Sequence, residues 1–163
     1  MRQVLETAYT ALEMLLADFR SALDGIPDTD LAGWTPQPAQ DGGGEMNTLA
    51  ALTVHAAAAG GWILHHQVYG DEIPRDREAE FRAVATRDEI DAIFDGWLSS
   101  FRERIDREDE VDLAAPPATV RPRLANWTRM NWLFHMIDHT ALHLGHAEIH
   151  RQMWLAEQGA HPQ

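Results

Sequence analysis

From Val4 to Leu23 the apolar positions Leu5, Ala8, Leu12, Leu15, Leu16, Phe19 and Leu23 recur at steps of three and four. That spacing predicts one face of an amphipathic helix, ended by Gly25 and Pro27. Between Asp28 and Glu45 the residues Pro36, Pro38 and the Gly42 to Gly44 triplet give a loop composition with no sustained period. The loop is long enough to cover one end of a bundle. A second helix is predicted from about Thr48 to Tyr69. In its middle, Ala56 to Ala59 followed by Gly60 and Gly61 leave room for a neighbouring helix or a ligand to approach, and Gly70 ends it.

Thr86, Arg87, Asp88 and Glu89 read as a capping box, in which the Thr hydroxyl and the Glu carboxylate each satisfy a free amide of the first turn. The third helix starts there, with Ile90, Ile93, Phe94, Trp97, Phe101 and Ile105 as its apolar stripe and Arg102, Arg104, Asp106 and Arg107 toward water. Ala114 to Pro122 is predicted as loop, because Pro116, Pro117 and Pro122 bar a regular helix. A fourth helix follows from about Arg129 to Glu157, capped by Asn126 or Thr128, with Gly159 beyond its end. Four long helices without strand signals predict an all-α four-helix bundle. The chain of 163 residues suits a single domain over residues 1–163.

Charge narrows the partners. Twenty-six acidic against thirteen basic residues give a formal net charge of −13, which repels phosphate backbones and anionic membranes. Neither nucleic acid nor a membrane is expected as a partner. All the basic residues are Arg and none is Lys, so Schiff-base chemistry on a lysine is excluded. The absence of cysteine removes disulfides, thiolate metal sites and cysteine nucleophiles together, leaving His and carboxylates as the strong metal ligands. Glu6 and Glu13 interrupt what would have to be a signal h-region, and the apolar stretch from Leu49 to Leu64 is short and broken by His55. A cytoplasmic protein is the expectation.

The histidines carry the chemistry. His135, His139, His143, His146 and His150 follow one another at steps of four, four, three and four on the fourth helix. At ~100° per residue they fall in a stripe roughly 80° wide. Trp132 and Met153 lie on or beside it, while Phe134, Ile137, Ala141, Leu144 and Glu148 make an opposite face that is no more polar. Periodicity leaves the orientation of this helix open. Residues four apart stack on one helix face, so His135 with His139, His139 with His143, and His146 with His150 are three pairs able to converge on an ion at ~2.0–2.1 Å. A third ligand must come from another helix, and His55 is the histidine in the middle of one; His66 shares its face but lies three turns away. His65, His66 and His161 read as ordinary hydrogen-bonded residues. Asp138 points away from the stripe. Arg82 and Arg123 lie in or near loops that could bend toward a substrate carboxylate, although a solvated arginine is the simpler reading of each.

Other chemistries find no pattern. In His146, Ala147, Glu148, Ile149, His150 the Glu is in the wrong position for a zincin base. The Glu-x-x-His pairs of ferritin-like sites are absent. No GxSxG, P-loop or GxGxxG stands in a usable context.

The run WTRMNWLFHMIDHTALHLGHAEIHR, Trp127 to Arg151, resembles the last helix of the DinB-like (DinB/YfiT) superfamily, where HxxxHxGQ or HxGHA is typical. The stretch LAALTVHAAAAGGWILHHQVYG, trailed by RDREAEFRA, resembles that family's second helix with its single ligand His and acidic segment. The resemblance implies a four-helix bundle in a mirror-hand variant of up-and-down topology, usually homodimeric, holding a divalent ion through three ligands. Carried over residue by residue, the ligands fall on His55, His139 and His143. His146 takes the place of the family's Gln, as in the actinobacterial branch with HxGHA, a branch that often has Glu where this chain has His139. Zinc or nickel suits such a donor set.

The characterised relatives include S-transferases using bacillithiol or mycothiol and a mycothiol-dependent maleylpyruvate isomerase. The expected function is therefore metal-dependent transfer of a low-molecular-weight thiol to a small-molecule substrate. Trp62, Trp132, Met136, His135 and His146 are the candidate pocket residues around the ligands. A hydrolase with the same ligands, or a non-catalytic bundle, is the alternative.

Overall fold

The computed structural model describes residues 1–36, 46–107 and 111–159. Pro38, the Gly42 to Gly44 triplet and His161 lie outside the described residues. The expected all-α bundle is what these residues form. Its elements are α1 (Arg2–Leu23), a short α2 (Asp28–Gly33), α3 (Leu49–Trp62), which runs on as a π-helical segment (Ile63–Tyr69), a one-turn α4 (Arg77–Glu80), α5 (Arg87–Asp106), a 3-10 turn (Pro122–Leu124) and α6 (Arg129–Glu157).

The four long helices form a ring in which α1 touches α6 and α5, and α3 touches the same two. Inside it lie Leu12, Leu16, Phe19, Leu49, Leu64, Phe94, Phe101, Trp132 and Met136, each 2% exposed or less. Burying a side chain of this size contributes roughly 1.5–3 kcal/mol, which holds the helices at the spacing the site requires. Arg20 crosses from α1 to Asp91 and Asp95 of α5, a surface tie of the kind that adds little to stability.

Helix α3 is the most enclosed of the four, since ten of its fourteen residues are buried, including His55 and Thr53. The Thr53 hydroxyl donates to the Leu49 carbonyl at 2.8 Å and so brings no unmet polar group into the core. At Gly60 the reason for a bare backbone is direct: a Cβ built there would lie 2.1 Å from the Trp97 ring on α5.

Two differences from the sequence reading have physical causes. The second helix is α-helical only to Trp62 and then widens, because over seven residues a π-helical turn and an α-helical turn give the same buried pattern. Asp28 to Gly33, expected as loop, is a single helical turn and a half. Six residues burying one leucine, Leu31, are too few to set up a period. Of the two caps expected for α6, Thr128 serves, in a capping box with Asn131.

Candidate metal centre

The histidine stripe of α6 proves to lie along one edge of its buried face. That face carries Trp132, Leu133, Met136, Thr140, Leu144, Ala147 and Trp154, whereas His135, His139 and His143 are half-buried and His146 is exposed. The opposite side holds Phe134, 62% exposed, so the histidines and not the apolar flank turn toward α3. There His55, 4% exposed, faces them from the middle of α3.

One ring nitrogen from each of His55, His139 and His143 lies within 4.8 Å of the others. The ring centroid of His55 is 5.5 Å from that of His139 and 4.9 Å from that of His143, and the two α6 rings are 4.4 Å apart. Tetrahedral ligands at about 2.1 Å from an ion are ~3.4 Å apart, so small rotations of the rings close the set. The donor chemistry fits as well. Nδ1 of His139 and of His143 is buried without any hydrogen-bond partner, a condition that costs roughly 1–3 kcal/mol per group. Three neutral imidazoles are a set that zinc or nickel accepts.

Electrostatics keeps these rings uncharged. Burial, reinforced by the neighbouring His143 and His55, lowers the pKa of His139 to about 3. Burial and then His55 lower that of His143 to about 4. His55 is also pushed down by burial, against the pull of Glu80.

Glu80 is the residue that sequence reasoning missed. It sits at the end of α4, 6% exposed, and its Oε2 accepts from Nδ1 of His55 at 2.8 Å. Arg75 grips the same carboxylate from the other side, Nε to Oε1 at 2.7 Å and a terminal nitrogen to Oε2 at 2.8 Å. Burial alone would raise the Glu80 pKa, but the bonds from Arg75 and His55 outweigh it and hold the carboxyl below its usual value. An ionised Glu80 fixes the proton on Nδ1 of His55 and leaves Nε2 with a free lone pair. On the other face of His55, Phe81 stacks at 4.1 Å. The available signal was the acidic segment after the second helix, which did not single out one carboxylate.

Beside His55 and His139 is a cavity of about 170 Å³, lined by these two and by Ala59, Trp62, Ile63, Arg75, Arg77, Arg121, Trp132 and His135. Of the candidate pocket residues, Trp62, Trp132 and His135 are in that lining. Met136 and His146 are not part of that lining. Met136 is fully buried on the core side of α6, and His146 lines a separate cavity with Met46, Leu52 and His150. Arg82 and Arg123 are exposed and line neither cavity; the arginines beside His55 and His139 are Arg75, Arg77 and Arg121. The carboxylate of Asp138 is 82% exposed, 3.7 Å from His135.

Two further histidines have hydrogen-bond partners. Nε2 of His65 is 3.0 Å from the Ser100 hydroxyl, and Nδ1 of His66 donates to the Asp71 carbonyl at 2.8 Å. His150 packs edge-on to Trp34 with centroids 6.3 Å apart, and its Nδ1 is buried without a hydrogen-bond partner. Among the described residues no helix is long and apolar enough to cross a membrane.

Comparison with known proteins gives two matches. The model of a family described as mycothiol-S-transferase matches residues 7–154. A crystal structure of a conserved protein from Enterococcus faecalis superposes with a TM-score of 0.64 at 18% identity, covering 94% of this chain and 98% of the other. That likeness shows a shared fold. No curated protein matches the chain.

Proposed function

Because the chain belongs to the mycothiol-S-transferase family, a DinB-like family, we propose that it transfers a low-molecular-weight thiol of the mycothiol type to a small-molecule electrophile, using a divalent ion held by His55, His139 and His143. The observation that carries this reading is the convergence of three imidazoles from two helices, two of which, His55 and His139, line a cavity, in a chain that has no cysteine of its own. Zinc or nickel is the proposed metal. When bound, such an ion lowers the pKa of a coordinating thiol and makes it a nucleophile near neutral pH.

The chain's own groups have separable tasks in this reading. His139 and His143, kept neutral by burial, offer lone pairs and carry no competing proton. Glu80 orients His55 and raises its basicity, and Arg75 keeps Glu80 ionised. Trp62 and Trp132 wall the cavity and limit the water that can reach a reactive thiol. The same reading takes residues 1–163 as one cytoplasmic domain that forms a homodimer, which sedimentation tests.

The experiment is metal content by plasma mass spectrometry on untagged protein, followed by thiol consumption with a model electrophile. The expected result is about one zinc or nickel per chain, lost in His55→Ala and His143→Ala, with thiol consumption lost in parallel. Wild-type protein that holds no stoichiometric metal, or a His139→Ala variant with unaltered thiol transfer, would overturn the proposal. Turnover of ester or amide probes without any thiol would replace it with hydrolysis.

A further inference from the structure

A chain with two carboxylates for every arginine offers each guanidinium a choice of counter-ions, and only some of the guanidiniums take one. Arg2, Arg20, Arg75, Arg87, Arg102 and Arg104 each have one. Arg77, Arg82, Arg121, Arg123, Arg129 and Arg151 have no carboxylate partner among the described residues, and of these Arg77 and Arg121 line the cavity beside His55 and His139. No carboxylate lines that cavity. Glu80, bonded to two of the lining residues, is already engaged by Arg75 and His55.

Both free guanidiniums are held by aromatic rings. Arg121, in the loop before α6, lies 5.2 Å from the centroid of Trp132 and 5.9 Å from that of Trp62. Arg77 sits 4.9 Å above Phe81, whose other face is stacked on His55. A guanidinium resting on a ring keeps its in-plane N–H groups free, and that fork matches the two oxygens of a carboxylate.

We propose that the cavity selects a substrate bearing a small carboxylate, which Arg77 and Arg121 hold while the rest of the molecule faces the triad. This assignment rests on reading the triad as the reactive centre, but anion binding is measurable apart from it. The overall charge of −13 does not oppose such binding. At physiological salt, charges beyond about 8 Å are screened, so the arginines lining the cavity outweigh carboxylates elsewhere on the surface. The same acidity gives the arrangement selectivity, because it leaves few other places where an anion would settle.

The test is isothermal titration calorimetry with succinate, its neutral counterpart succinamide and inorganic phosphate, on the protein both as purified and after chelation. Succinate is expected to bind in both forms, with succinamide at least tenfold weaker. Arg77→Gln and Arg121→Gln should each weaken succinate at least tenfold. Arg123→Gln, which removes the same charge from an exposed site outside the cavity, should leave it unchanged. Both cavity arginines are exposed, and circular dichroism confirms that the variants fold. Equal binding of succinate and succinamide, tighter binding of phosphate, no binding of succinate, or an unaltered Arg121→Gln protein overturns the assignment. Succinate binding that survives in a protein without metal or thiol transfer sustains the anion site while the thiol-transfer reading falls; thiol transfer with no carboxylate dependence does the reverse.

Discussion

Oε2 of Glu80 lies 2.8 Å from Nδ1 of His55, and both side chains are almost wholly withdrawn from solvent. Glu80→Gln keeps the shape but removes the charge that fixes the tautomer of His55. The expected loss is roughly 10–100-fold in metal affinity, the usual effect of deleting such an orienting carboxylate. Competition against a chromogenic chelator measures it, with circular dichroism to verify the fold. Unchanged affinity would mean that His55 is not a ligand or that its orientation is set by Phe81 alone.

Metal binding should also show in the melting temperature. An ion that binds only the folded chain stabilises it by about 2.7 kcal/mol at a hundredfold excess over its dissociation constant, or roughly 5–10 °C for a domain of this size. Scanning fluorimetry with and without zinc should show that shift in the wild type. His143→Ala should abolish it, whereas His146→Ala should retain it, since His146 is outside the converging set.

The pH dependence has a definite sign. His139 and His143 are depressed from the ordinary value near 6.5 to about 3 and about 4. Below pH 6.5 the unfolded chain takes up protons that the folded one refuses, so stability contributed by the neutral rings is lost as pH falls. Metal-free protein is expected to have a steady melting temperature above about pH 7 and a declining one from there toward pH 4. Double replacement of His139 and His143 by Gln should flatten that decline. A wild-type profile already flat from pH 7 to 5 would contradict the depressed values.

Gly60→Ala should be costly although Gly and Ala are the two smallest residues. The added Cβ would meet Trp97 at 2.1 and 2.4 Å, on the rigid indole, and overpacking of this kind costs about 1–3 kcal/mol. Chemical denaturation measures the loss. In a Trp97→Phe background the same change should cost less, giving a coupling energy in a double-mutant cycle.

What the sequence made legible follows from where each signal lives. The apolar steps of α1 and α5 and the capping box at Thr86 are local properties, and each became the element expected. The spacing of His139 and His143 is local too, and it placed both rings on one face. His55 stood out as the histidine in the middle of another helix, but its partnership with His139 and His143 in particular rested on family resemblance, because nothing within α3 says which helix it will meet. The face that α6 turns inward was hidden for a different reason. Its buried stripe runs beside the histidines and not opposite them, and both flanks carry apolar residues. Glu80 and Arg75 were out of reach because their roles depend on a one-turn helix and an extended segment. Such segments bring charges to a buried ring without any periodic pattern. The cavity arginines show the same limit: the sequence reading singled out Arg82 and Arg123, whereas the path of the loops brings Arg77 and Arg121 to the cavity instead.

His55 and His139 are about half the chain apart in sequence, and one belongs to the most enclosed helix while the other sits on the longest. An ion joining them would therefore act as a staple across a very large loop, in a chain that has no cysteine with which to make a covalent one. Closing a long loop removes freedom mainly from the unfolded state. Chelation should accordingly do more than empty a reactive centre: it should release the clasp between two halves of the bundle and quicken its exchange with unfolded forms.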